Sequence, residues 1–132
     1  MSIKSSQKLV EEASKVIKTL RAEEVKTQND NGEITLIDIR DIRELWKDGT
    51  IENSQHIPRG MLEFWLDPGS IYFKEGKLDL KKEMVLFCAG GLRSALATKS
   101  LQEMGFKNVA HVEGGFAALK NAGLKVVEKK QK

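Results

Sequence analysis

The sequence predicts a single α/β domain with a mostly parallel, five-stranded sheet and helices on both faces. Three observations predict it. Short β-branched or apolar runs alternate with helical patterns along the whole chain, the signature of parallel strands joined by crossover helices. The clearest runs, Thr35-Leu36-Ile37-Asp38-Ile39 and Met84-Val85-Leu86-Phe87, are nearly continuous in apolar residues, as strands covered on both faces are. Glycines punctuate the strand-to-helix turns at Gly90-Gly91 and Gly114-Gly115.

Each element follows in order. Residues 5–20 begin as an amphipathic helix, with Leu9, Val10, Ala13 and Ile17 at helical spacing, and pass into a short strand near residues 16–20. A second helix starts at Arg21-Ala22-Glu23-Glu24-Val25, and Asn29-Asp30-Asn31-Gly32 is a turn cluster. After the strand at 35–39, a short helix covers residues 43–46 and stops near Gly49. Gln55-His56-Ile57-Pro58 reads as a strand ended by proline. Residues 60–65, with Met61, Leu62, Phe64 and Trp65, read as a short helix on the core. Trp46, Phe64 and Trp65 are expected in core or pocket-wall packing. Asp67-Pro68-Gly69 is a turn, and residues 79–82 are a charged approach to the strand at 84–87. A helix over residues 92–104 takes Leu92, Leu96, Leu101 and Met104 as its apolar face and Gly105 as its stop. Residues 108–112 form the last strand, and 116–121 a final helix closed by Gly123.

Composition bounds the function. At 132 residues and 40% hydrophobic, one core can form without disulfides or metals. Residues 1–132 are expected to form one domain, with 1–15 a helical extension and 127–132 a basic tail. No apolar run approaches the roughly 20 residues of a membrane span. The first 15 residues lack the apolar stretch of a signal peptide, so the cytosol is the expected compartment. The net charge of +3 resides in residues 125–132, which hold four lysines and one glutamate. The remaining body is neutral, which argues against a nucleic-acid partner. The two histidines, His56 and His111, lack ligand spacing and are read as structural or surface residues.

The single cysteine, Cys88, is either a small core residue or a nucleophile. It stands at the C-terminal end of the most apolar strand, where ligands bind in open α/β sheets. Gly90 and Gly91 permit a tight turn that aims N–H groups inward. The helix start near Leu92 adds its dipole, and Arg93 can fold back with its guanidinium fork. Anion-binding features around a thiol favour the thiolate, so Cys88 is expected to have a depressed pKa.

The segment Cys88-Ala89-Gly90-Gly91-Leu92-Arg93-Ser94 resembles the active-site loop of single-domain rhodaneses: a cysteine, four variable residues, an arginine, and a serine or threonine. Upstream, Ile37-Asp38-Ile39-Arg40, then Glu44, Gly49 and Ile57-Pro58, resemble the family's first signature. Downstream, Val112-Glu113-Gly114-Gly115-Phe116 resembles the segment before its last helix. The similarity runs from about residue 16 to residue 126. Two positions depart from the family pattern: Thr50 stands where histidine is frequent, and Asn53 where glycine is. In the two-domain thiosulfate enzymes an arginine aligns with Glu44, and the loop carries more positive charge than Arg93 alone.

The resemblance implies a rhodanese-like fold and a double displacement. Cys88 attacks the outer sulfur of a donor such as thiosulfate or a persulfide, becomes a persulfide, and passes the sulfur to a thiol or cyanide, with no metal or cofactor. The loop residues Ala89 to Ser94 would bind substrate, with the N–H groups of Gly90, Gly91 and Leu92 holding the transferred sulfur. Asp38, Arg40 and Glu44 would support the pocket, although for Asp38 and Arg40 a strand-end ion pair or loop brace is the favoured reading. The expected partners are a small-molecule sulfur donor and a thiol or cyanide acceptor, or a protein sulfur donor, with no membrane and no nucleic acid. The alternatives are a persulfide carrier or regulatory module, and a phosphatase or arsenate reductase, whose relatives place five residues between cysteine and arginine.

Overall fold

The computed structural model describes residues 2–73, 78–79 and 81–131. Met1 of the N-terminal extension, Leu80 of the charged approach and Lys132 of the tail lie outside the described residues. The elements are α1 (Ser6–Ser14), β1 (Lys18–Leu20), α2 (Ala22–Asp30), β2 (Ile34–Asp38), α3 (Ile42–Asp48), β3 (Thr50–Ile51), β4 (Gln55–His56), a 3₁₀ turn (Arg59–Met61), α4 (Leu62–Leu66), β5 (Glu83–Phe87), α5 (Leu92–Met104), β6 (Val109–Val112), α6 (Gly115–Asn121) and β7 (Val126–Val127). Five strands form one sheet in the order β1-β6-β5-β2-β4. All its pairings are parallel, which brings the C-terminal ends of β2, β5 and β6 to one edge of the domain.

The period-two alternation of β5 sorts the core. Val85 and Phe87 join Leu20, Val25, Leu36, Ala110, Val112, Phe116 and Leu119 on the face covered by α2 and α6. Met84, Leu86 and Cys88 face the other way, toward Ile37, Ile57, Leu62, Ala97 and Leu101 under α4 and α5. Cys88 is therefore one side of a core layer and the tip of a strand at once. No helix among the described residues is long and apolar enough to cross a membrane.

The structure corrects three readings. Only Leu101 of the expected α5 stripe is buried; Leu92 and Met104 are 66% and 41% exposed. The buried face of α5 is Ser94, Ala95, Ala97, Thr98 and Leu101, because small residues let the helix approach the sheet while α1 covers it from outside. Phe64 is half exposed and meets Tyr72 edge-on at 6.1 Å, whereas Trp65 does pack against the α4–α5 core. Val127 does not begin a free tail. It pairs antiparallel with Thr50 in a two-stranded ribbon with β3, and two adjacent β-branched valines suit that pairing. A two-residue strand carries no periodicity, so this ribbon left no pattern to read.

Asn53 adopts φ 69°, the left-handed region. Asparagine tolerates that conformation better than most residues, and glycine, which the resemblance leads one to expect at this position, tolerates it best.

A buried ion pair ties these pieces together beyond the end of β2. Arg40 and Asp38 are 1% and 0% exposed. The Arg40 guanidinium forks onto Asp38 (Nε–Oδ1 3.0 Å, Nη2–Oδ2 2.8 Å) and Nη2 also donates to the Gly49 carbonyl at 2.7 Å. The Thr50 hydroxyl donates to Asp38 Oδ2 at 2.7 Å. The guanidinium lies over the Phe116 ring at 4.2 Å. Replacing Arg40 by Met leaves a buried carboxylate without its cation and is expected to destabilise the fold by about 3–5 kcal/mol. Urea denaturation measures this, and the double variant Asp38→Leu/Arg40→Met should recover much of the loss.

Candidate active site

Cys88 follows β5 directly and is 1% exposed. Its sulfur receives N–H bonds from Gly91 at 3.2 Å and Ser94 at 3.4 Å, and lies 3.5 Å from the Ser94 hydroxyl. These donors exist because the chain reverses in the left-handed conformation at Gly91, φ 103°, and then enters α5, whose first turn directs its free N–H groups back on the sulfur. Burial alone pushes the Cys88 thiol up. The hydroxyl and N–H of Ser94 and the N–H groups of Gly91 and Gly90 outweigh it, and the net pKa lies below that of an ordinary thiol. Ala89 and Gly90 sit on the exposed side of the loop. Leu92 projects outward beside them.

The loop rests on the second glycine pair. Phe116 N–H donates to the Cys88 carbonyl at 2.8 Å. A Cβ on Gly115, which has φ 59°, would stand 2.5 Å from that carbonyl oxygen and 2.7 Å from the carbonyl of Ala89. The turn before α6 thus fits directly under the cysteine loop, and only a residue without a side chain fits there.

Arg93 does not fold back onto the sulfur. Its guanidinium forks onto the Glu44 carboxylate, Nη1–Oε2 2.8 Å and Nη2–Oε1 2.9 Å, at a partly exposed rim. Glu44 is itself fixed in place, since its Oε2 also accepts the Asp41 N–H at 2.9 Å in the capping box of α3. The Arg93 bond chiefly, with the Asp41 N–H assisting against burial, holds the Glu44 carboxyl below its usual range. Arg93 is shifted upward by the same pair. The sulfur is therefore surrounded mainly by neutral N–H and O–H donors, with the local cation already matched to an anion. Asp38 and Arg40 are brought to the same end of the sheet, but their hydrogen bonds form the brace described above and none reaches Cys88.

One residue read as merely structural or surface stands next to the loop. His111 on β6 is 4% exposed. Its Nδ1 lies 2.9 Å from Ser94 Oγ and its Nε2 3.2 Å from the Thr19 hydroxyl. Burial lowers its pKa to about 4, so it is neutral at neutral pH. The only sequence signal was a histidine inside an otherwise apolar strand, since His111 reaches Ser94 through parallel strand order rather than through a short motif. His56 is partly buried and bonds through Nε2 to the Arg40 carbonyl at 2.7 Å.

Two substitutions probe the cradle. Ser94→Ala removes a donor that favours the thiolate, so the Cys88 pKa rises and the thiolate fraction at neutral pH falls by about tenfold. Alkylation rate against pH reads this directly; superimposable curves for variant and wild type contradict it. Gly115→Ala forces a methyl into two carbonyl oxygens at positive φ and is expected to cost more than about 1 kcal/mol in urea denaturation, with a measurable rise in the Cys88 pKa as the loop is displaced.

Comparison with known proteins places the fold. The family model for the rhodanese-like domain matches residues 21–122. Among solved structures, a protein of unknown function from Rhodopseudomonas palustris, described as a possible tyrosine phosphatase, superposes with a TM-score of 0.88 at 43% identity, covering 96% of this chain and 98% of its own. The polysulfide-sulfur transferase homodimer of Wolinella succinogenes superposes with a TM-score of 0.71 at 34% identity, covering 92% of this chain and 85% of its own. Among curated proteins, the tRNA uridine(34) hydroxylase of Photorhabdus laumondii is 33% identical over 102 residues, 77% of this chain. The chain spans only 28% of that relative's length. The match covers residues 21–122, more than half of the chain, and this chain belongs to the rhodanese-like domain family.

Proposed function

We propose that the protein is a sulfurtransferase in which Cys88 accepts sulfane sulfur from a donor and passes it to a thiophilic acceptor. The observation that carries this reading is the sulfur of Cys88 held by the Gly91 and Ser94 N–H groups in a loop of four residues before Arg93. In the first step the thiolate attacks the outer sulfur of the donor. A Cys88–sulfur bond forms, and the donor's own bond to that sulfur breaks with the electron pair leaving on sulfite or a thiolate. In the second step an acceptor thiolate or cyanide attacks the outer sulfur, and the Cys88 thiolate departs. The same N–H groups that hold the thiolate hold the negative persulfide, so the cradle serves both states.

The charge balance of the rim supports a choice of donor. With Arg93 matched by Glu44, the rim offers little net positive charge to a thiosulfate dianion. Persulfides and polysulfides, which carry less charge near the transferred atom, are the better substrates, and a protein-bound persulfide fits the same chemistry. The similarity to a polysulfide-sulfur transferase supports this choice.

The possible phosphatase assignment of the Rhodopseudomonas palustris relative gives a second reading. Ala89, Gly90, Gly91 and Leu92 leave a cradle one residue shorter than phosphatase relatives use, and Glu44 occupies the arginine that would meet phosphate. The tRNA-modifying relatives share only a quarter or so of their length with this chain, and its neutral body supports small-molecule or protein partners over RNA.

Intact mass spectrometry after exposure to polysulfide is expected to show one added sulfur on wild type and none on Cys88→Ser. Aryl phosphate hydrolysis that is lost in Cys88→Ser, without sulfur loading in the wild type, overturns the assignment. Glu44→Gln should release Arg93 and raise thiosulfate turnover several-fold relative to polysulfide turnover; an unchanged ratio counts against the charge-balance account.

A further inference from the structure

Cys88 must lose a proton to act as a nucleophile, yet it is 1% exposed. The N–H groups of Gly91 and Ser94 around its sulfur can donate but cannot take a proton. The acceptor on the thiol is the hydroxyl of Ser94, 3.5 Å away and itself fully buried. That hydroxyl contacts His111 Nδ1 at 2.9 Å. His111 Nε2 contacts the Thr19 hydroxyl at 3.2 Å, and Thr19 is exposed. The chain of hydrogen bonds therefore runs unbroken from a buried sulfur to the surface. The sheet order creates it: β1 lies beside β6 with Thr19 directly opposite His111, while α5 sets Ser94 above them.

We infer that Ser94, His111 and Thr19 form the route by which the buried Cys88 thiol releases its proton to solvent, with His111 the positioning residue whose tautomer follows the state of the sulfur. The relay deepens the proposed sulfur transfer, because it rests on Cys88 acting as a thiolate.

The proton count balances. In the thiol state, Cys88 S–H donates to Ser94 Oγ, Ser94 O–H donates to Nδ1, and Nε2–H donates to Thr19, whose own proton faces water. Each group passes one proton outward. Ser94 takes the thiol proton and gives its own to Nδ1; Nε2 gives its proton to Thr19, which gives one to water. The thiolate state then has Ser94 O–H donating to the sulfur, Nδ1–H to Ser94 Oγ, and Thr19 O–H to Nε2. Every polar atom is satisfied in both states, and one proton has left.

The surroundings of His111 fit this role. The groups that face it are the hydroxyls of Thr19 from β1 and Ser94 from α5, with the Cys88 thiol beyond Ser94 at the end of β5. Among the described residues no carboxylate or cation acts on it; burial keeps it neutral, with a pKa of about 4. A neutral ring always retains one accepting nitrogen, as the relay requires. Thr98 does not compete, because its hydroxyl is committed to the Ser94 carbonyl at 2.8 Å.

The test is ¹⁵N nuclear magnetic resonance of the His111 ring in the full chain while the ultraviolet thiolate absorbance follows Cys88 across pH. The relay requires the proton to shift from Nε2 to Nδ1 with the same midpoint as the thiolate, and this shift to vanish in Cys88→Ser. A single tautomer held throughout the titration overturns it. As a second measurement, His111→Leu fills the space but leaves the Ser94 hydroxyl unoriented, and is expected to lower the thiolate fraction at neutral pH by about tenfold. His111→Asn, which keeps a donor toward Ser94, should restore most of that loss. An unmoved Cys88 pKa in His111→Leu also overturns the relay. Neither measurement uses a sulfur donor, so a tautomer shift in a protein that transfers no sulfur would leave the relay standing and remove the proposed function instead.

Discussion

A guanidinium that cannot reach water must find all of its partners inside the protein, and Arg40 imposes that condition on one side of the sheet end that carries Cys88. Its partners come from separated parts of the chain: the Asp38 carboxylate at the end of β2, the Gly49 carbonyl before β3 and the ring of Phe116 on α6. Thr50 adds a hydroxyl to the same carboxylate. None of these side chains bonds to the cysteine sulfur. Yet Phe116 also supplies the N–H that holds the Cys88 carbonyl, so the packing that satisfies the buried charge also positions the turn beneath the loop. A buried pair of this kind adds little net stability over apolar residues of the same shape. Its contribution here is placement, since few arrangements of β2, β3 and α6 satisfy all its bonds at once.

The cysteine loop shows the complementary strategy. A thiolate there is stabilised mainly by neutral dipoles, the N–H groups of Gly91 and Ser94 and the Ser94 hydroxyl, rather than by an adjacent cation. Fixed dipoles stabilise an anion without demanding a dianionic substrate to balance them. The one cation of the loop, Arg93, is shared with Glu44, and Glu44 is in turn anchored by the cap of α3. In the proposed reaction the thiolate and the persulfide are both singly charged, and a cradle of neutral donors would suit both.

Proteins similar to this chain carry names for quite different chemistry: polysulfide-sulfur transfer, a possible tyrosine phosphatase, and tRNA uridine hydroxylation. What this chain shares with them is the rhodanese-like fold, and a shared fold does not by itself assign a function.

Much of this was legible in the sequence. The alternation of apolar runs and helical patterns determined a parallel α/β sheet, because strands covered on both faces and crossover helices leave distinct local periods. The run from Cys88 to Ser94 determined a thiol at a strand tip before a helix start, because every part of that feature is contiguous. Local pattern could not reveal contacts between distant segments. The pairing of Thr50 with Val127, the turning of Arg93 toward Glu44, and the small-residue face of α5 were decided by packing. The same holds for His111. In the sequence it is a lone histidine in an apolar strand. In the folded chain the order of β1, β6 and β5 sets it between an exposed threonine and the serine that faces Cys88. The sequence by itself determined which atom is the candidate nucleophile; only the tertiary structure decided what surrounds it, because strands distant in the chain become neighbours only when the sheet assembles.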